Sequence, residues 1–151
     1  MRTLIIYVSI TGSTKQYAQW LREEIKDSDI CEMKDCDEEK LKGYDRVVIG
    51  SYIRARNIKA VGFLQKYWEN LKDKKPVLFV VGLLDPNMNE SKKAYELIPE
   101  HIRDVIKYVK LPGRFDKDKM NIFEKLVVKL IKFDAFGEFK RENIKEVIKL
   151  I

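Results

Sequence analysis

The sequence predicts a single α/β domain in which helices cover both faces of a doubly wound parallel sheet. Three observations predict it. Short β-branched runs alternate with longer stretches of helical periodicity along the 151 residues. The runs Leu4–Val8, Val47–Ile49 and Val77–Val81 are apolar at every position, as strands buried on both faces must be. The length fits one domain, and a chain of this size buries roughly 70% of its unfolded surface.

Each element has a local reason. Leu4 to Val8 is the first strand. Thr14 to Ile25 reads as a helix, with Tyr17, Leu21 and Ile25 on one stripe. Ile30 to Met33 is a short second strand, and Val47 to Ile49 a third that ends in Gly50-Ser51. Val61 to Leu71 is helical, with Phe63, Leu64, Tyr67, Trp68 and Leu71 clustered on one side. Pro76 opens the fourth strand, Val77 to Val81. Glu90 to Ile106 is helical with a break at Pro99, which cannot donate within a helix. Tyr108 to Phe115 is the fifth strand, and Ile144, Val147, Ile148 and Ile151 stripe a last helix.

Composition narrows the function. Apolar residues are 45% and charged residues 36% of the chain, a globular balance that excludes intrinsic disorder. The net charge is +6, and it is concentrated late: residues 103–151 carry 13 basic against 8 acidic side chains. That is a surface for anionic partners or simply a solvated face. Two cysteines, Cys31 and Cys36, make no disulfide framework, and with His101 as the single histidine they make no zinc site. The apolar run after Arg2 leads into Thr11-Gly12-Ser13 rather than a cleavage site, and no run approaches the ~18 residues of a membrane span. A cytoplasmic protein is expected. Aromatics do not interleave with the basic residues, so no nucleic-acid platform is expected.

In doubly wound sheets, ligands bind beyond the carboxyl ends of the strands, at the switch in strand order. The first such loop is Ser9-Ile10-Thr11-Gly12-Ser13-Thr14, which leads into the first helix. It has four hydroxyls and a glycine but no lysine, so it is not a Walker loop. A helix start offers free N–H groups and a positive dipole end. With hydroxyls around it, such a loop holds a phosphate monoester without a cation.

The pattern [ST]-x-T-G-x-T at the end of a first strand is the flavodoxin phosphate motif, and the chain resembles that family. Receiver domains share the fold but need acidic residues where Ser9 and Gly50-Ser51 stand. Within the flavodoxins the chain is similar to the menaquinone-dependent protoporphyrinogen IX dehydrogenase branch. Tyr44-Asp45-Arg46-Val47-Val48-Ile49-Gly50, Ile53-Arg54 and a basic, apolar segment after the fifth strand carry that likeness.

The resemblance implies a flavodoxin-like three-layer fold, with five parallel strands in the order 2-1-3-4-5. It implies an extra helical segment, Lys117 to Phe139, between the fifth strand and the last helix. It also implies FMN. Ser9, Ile10, Thr11, Gly12, Ser13 and Thr14 would hold the phosphate. Ser51, Tyr52, Ile53 and Arg54 would flank the flavin on one side, and Gly82, Leu83, Leu84, Asp85 and Asn87 on the other. Tyr52 is the stacking candidate. The loop Leu83–Asn89 has no aromatic residue, which leaves one flavin face open to a substrate. Arg54 and Arg56 would favour the anionic reduced flavin by Coulomb attraction, and Arg54, Arg56 and Arg114 could meet substrate carboxylates.

Two functions are expected from this. One is an FMN-dependent oxidoreductase that oxidises protoporphyrinogen IX or a similar planar substrate and passes electrons to a quinone. The other is a basic flavodoxin that carries electrons between protein partners, with its charge selecting acidic ones. Phe123, Leu126, Val127, Leu130 and Ile131 stripe the extra segment opposite Lys125, Lys129 and Lys132. Such a helix suits peripheral membrane contact, or docks on its own sheet.

Overall fold

The computed structural model describes residues 1–114, 121–123, 125–126 and 137–151. In chain order the elements are β1 (Thr3–Tyr7), α1 (Ser13–Glu24), β2 (Ser28–Glu32), α2 (Glu38–Lys42), β3 (Arg46–Arg54), β4 (Asn57–Ile58), α3 (Val61–Leu71), β5 (Val77–Gly82), α4 (Asn89–Glu96), α5 (Glu100–Arg103), β6 (Lys107–Pro112) and α6 (Ile144–Ile148).

Strands β2-β1-β3-β5-β6 lie side by side in that order, all parallel. This is the expected arrangement. The sheet has six strands rather than five, because β4 pairs antiparallel with the far end of β3. Ile53 faces Ile58 and Arg54 faces Asn57 there.

Alternation along each strand sorts side chains into two cores. Leu4, Ile6, Val47, Ile49, Leu78 and Val80 point to one face, where Leu64, Leu71, Ala94 and Ile102 of the middle helices, with Ile98 between α4 and α5, cover them. Ile5, Val48, Val77, Phe79 and Leu111 point to the other, under Tyr17, Ala18 and Leu21 of α1 and Ile144 and Val147 of α6. Most of these are wholly buried. Each such aliphatic side chain contributes about 1.5–3 kcal/mol.

Boundaries moved for physical reasons. Strand β3 runs on to Arg54, past the expected end at Ile49, because the β4 hairpin gives its last residues a partner. Pro99 does end a helix: it stands at the N-terminal boundary of α5, and α4 stops at Glu96. Helix α2 is so charged that only Leu41 is buried, and the Asp37 side chain caps it by accepting from the Lys40 N–H at 2.8 Å.

The expected helix over Lys117 to Phe139 falls largely outside the described residues. Ile122, Phe123 and Leu126 of it are exposed. Phe139 packs against Tyr17 and Trp20 of α1. No helix among the described residues is long and apolar enough to cross a membrane. They contain no cluster of metal-ligating side chains. Cys36 is buried in the core, with Cys31 packed against it.

Candidate functional site

The order β2-β1-β3 reverses the winding at β1 and β3, so the switch point lies where these two strands end. The loop from Val8 to Gly12 leaves the sheet there. Its first residue stays tied to the neighbouring strand, since the Val8 N–H donates to the Gly50 carbonyl at 3.0 Å.

Gly12 then turns the chain into α1 with φ of 94°, in the left-handed region. A β-carbon there would meet no atom within 4 Å, so glycine is required by backbone conformation rather than by space. The Gly12 N–H donates to Ser9 Oγ at 3.1 Å, which closes the loop on itself. No side chain caps α1. The first helical bond comes from the Gln16 N–H to the Gly12 carbonyl, so the N–H groups of Ser13, Thr14 and Lys15 have no carbonyl one turn earlier.

Ser13 and Thr14 are buried, whereas Ile10 and Thr11 are exposed at the rim. Ser13 Oγ accepts from the Arg114 N–H at 3.3 Å, which brings the end of β6 to the same place. Tyr17 secures that junction: its hydroxyl donates to the Pro112 carbonyl at 2.7 Å and accepts from Asn143 Nδ2 at 2.8 Å. A cavity of about 340 Å³ opens beside the loop, lined by Ser9, Ile10, Gly12 and Lys15, by Glu32 at the end of β2 and by Lys34 just after it.

The second group of expected residues lies on the β3–β4 hairpin. Ser51 is wholly buried, and its hydroxyl accepts from the Ala60 N–H at 2.9 Å and donates to the Tyr52 carbonyl. That hydroxyl is therefore committed to anchoring the start of α3. Tyr52 and Ile53 are half-buried and Arg54 is exposed. The turn residues Ala55 and Arg56 both have positive φ, 48° and 65°. Such turns favour Asn-Gly, so Ala-Arg holds the hairpin tip in a strained conformation.

The third group forms the turn after β5. Gly82 pairs with Pro112 at the sheet end. Leu83, Leu84 and Asp85 are half-buried and Asn87 is exposed. Asp85 closes the turn, its carboxylate accepting from the Asn87 N–H at 2.7 Å and its carbonyl from the Met88 N–H at 3.0 Å. All three groups thus stand at the carboxyl end of the sheet. Tyr95 does not reach over this turn, because its ring packs on Tyr108 with centroids 4.8 Å apart.

Sequence reasoning missed Lys110. It lies buried on β6, and its Nζ donates to Ser91 Oγ of α4 at 2.6 Å. The available signal was a lysine between Val109 and Leu111 in the middle of a strand. Burial pushes its amine down to about 8, against a smaller upward pull from the Asp85 carboxylate. Between that value and the ordinary 10.5, the unfolded chain holds a proton that the folded one has lost, so stability rises with pH across that window. The Cys31 contact and burial raise the pKa of Cys36, and burial raises those of Tyr17 and Tyr108, so these groups act the other way as pH rises through about 9 and 10. The Lys110 contribution is therefore read as a difference: the stability of flavin-free wild type relative to Lys110→Met is expected to rise by about 2 kcal/mol between pH 8 and pH 10. Denaturant titrations of both proteins at both pH values check this, and a difference that does not change with pH contradicts it.

The profile of the family described as Flavodoxin domain matches residues 4–144. The chain belongs to the flavodoxin family. Several solved flavodoxins share the fold. The oxidised flavodoxin 2 of Bacillus cereus has 20% identity over 87% of this chain and 99% of that one, with a TM-score of 0.56. A flavodoxin from the domain Archaea has 15% identity over 87% and 97%, with a TM-score of 0.55. The two-electron reduced flavodoxin of Megasphaera elsdenii has 16% identity over 77% and 89%, at 0.56. No curated protein sequence matches the chain significantly.

Membership implies FMN as the cofactor. The flavodoxin's own geometry fits the phosphate of that group: a left-handed glycine with open space before it, free helix-start N–H groups and flanking hydroxyls.

Proposed function

We propose that this flavodoxin binds FMN at the carboxyl end of β1, β3 and β5 and transfers electrons between redox partners. The loop Ser9–Thr14 carries the reading, because its N–H groups and hydroxyls converge at the switch point and its one special backbone angle falls on glycine. Thr11, Ser13 and Thr14 would contribute hydroxyls and N–H groups to the phosphate. Tyr52, Ile53 and Arg54 would border the ring on one side, and Gly82, Leu83, Leu84, Asp85 and Asn87 on the other. Bound FMN supplies the redox chemistry, and the chain supplies binding, orientation and electrostatics. The net charge of +6 favours acidic protein partners.

A second reading is direct oxidation of a planar, carboxylated substrate such as protoporphyrinogen IX, with a quinone as acceptor. Two observations favour it. The turn Leu83–Asn89 has no aromatic side chain to cover the ring, and Arg54 and Arg56 are exposed on the hairpin beside it. Photoreduction of the FMN-loaded protein, followed by visible absorbance, separates the two. Two resolved one-electron steps are expected of a carrier. A single two-electron step favours the dehydrogenase, and a protein that takes up no FMN contradicts both.

A further inference from the structure

Among the described residues one cation is buried, and it lies toward the carboxyl end of the sheet on β6. Lys110 is 7% exposed on β6, opposite Val80 of β5. Its side chain runs across Gly82, where a β-carbon would stand 3.1 Å from Cε and 3.5 Å from Nζ. The absence of a side chain at Gly82 therefore makes the lysine's room. Ile53 of β3 fills the other side of that gap, its Cγ2 standing 2.5 Å from the same β-carbon position. The ammonium ends at Ser91 in the first turn of α4.

Lys110 thus spans the turn from 83 to 88, passing the open face of Gly82 just before it and bonding Ser91 three residues after it. Asp85 within the turn supplies the opposing charge. On the same face the Tyr95–Tyr108 ring pair adds bulk rather than charge, and Arg54, next along β3 from Ile53, is exposed. A lysine is an expensive way to fill this space, since desolvation opposes its charge. Methionine would fill a similar volume with no such penalty. What lysine adds is a positive charge in a poorly solvated place, where it is felt further than at the surface.

We propose that Lys110 is a positioning residue that holds a fixed positive charge beneath the 83–88 turn and thereby favours the reduced over the oxidised flavin in the adjoining site. The inference rests on the FMN reading. Reduction adds negative charge to the ring, so the cation binds the reduced form better. Linkage is reciprocal: reduced flavin must also hold the lysine's proton more tightly.

Two measurements on the FMN-loaded protein test this. The first is the midpoint potential of wild type and Lys110→Met against pH. The variant should bind FMN yet show a lower potential at pH 7. The wild-type potential should fall more steeply with pH above about 8, and the variant should lose that extra slope. The second needs no substitution. Nitrogen-15 lysine spectra of wild type should show the Lys110 titration midpoint rising on reduction by about one pH unit, a tenfold preference for reduced flavin. If Lys110→Met does not fold, the second measurement decides alone. An unchanged potential in an FMN-bound variant, or one titration midpoint in both redox states, overturns the inference and leaves the FMN reading intact. A wild-type protein that binds no FMN overturns both.

Discussion

Gly50→Ala is expected to destabilise the fold by about 3 kcal/mol, the upper end of what overpacking a core costs. Gly50 lies in β3, between Tyr7 of β1 and Phe79 of β5 in register. A β-carbon there would enter the Phe79 ring, with Cε1 and Cε2 at 2.8 and 2.9 Å. Phe79 cannot step aside freely. It is wholly buried, and its ring meets Tyr17 edge-on at 6.4 Å between centroids. Tyr17 is itself pinned by Pro112 and Asn143. At this size, 3 kcal/mol lowers the melting temperature by roughly 10 °C. Gly50→Ala combined with Phe79→Leu should recover part of the loss, since the two residues share one space. Thermal melts of the two single variants and the double variant check this. A Gly50→Ala protein within 0.5 kcal/mol of wild type, the range of an ordinary surface change, contradicts the packing described.

Gly12→Val is expected to weaken FMN binding by about a hundredfold or more. Gly12 adopts φ of 94° with open space around it, so the defect is conformational rather than steric. A β-branched residue in the left-handed region costs about 1–3 kcal/mol. The loop escapes that cost by rotating, and rotation turns the N–H groups of Ser13 and Thr14 away from the phosphate. Hydrogen bonds to a charged group contribute about 1.5–3 kcal/mol each, so losing one or two gives the stated factor. Stability without flavin should fall by far less than for Gly50→Ala. Fluorescence-quench titration with FMN measures the effect. Unchanged affinity would mean that the loop does not hold the phosphate.

The parts of this fold that were legible from sequence are those set by burial. Strands β1, β3 and β5 announce themselves because both faces are covered, so their central runs Leu4–Tyr7, Val47–Ile49 and Val77–Val81 are apolar throughout. Helices α1 and α3 carry one apolar stripe each and appear close to their expected limits. Strand β4 was hidden because its turn is Ala55-Arg56 rather than a glycine-containing pair, and no local rule favours a hairpin there. Helix α2 was hidden because five residues with a single buried leucine have no periodicity to read.

The site divides the same way. The loop Ser9–Thr14 is a local motif, with glycine, hydroxyls and helix start all within six residues, so its turn into α1 could be read directly. Ser51 is expected at the flavin from its position after the third strand, and its bond from the Ala60 N–H at the start of α3 has no sequence signal because the two lie nine residues apart. Lys110 acts across strands, through Gly82 and Ser91, which lie 28 and 19 residues earlier in the chain. Only the register of β5 with β6 brings these together.

The most direct test of the account is a comparison of FMN with riboflavin, which lacks the phosphate. Purified flavin-free protein is titrated with each by calorimetry at the same pH and salt. If the loop Ser9–Thr14 is the phosphate site, FMN binds and riboflavin binds at least about a hundredfold more weakly, since two or more charge-assisted hydrogen bonds are missing. Equal affinity for the two flavins, or no binding of FMN, would contradict it.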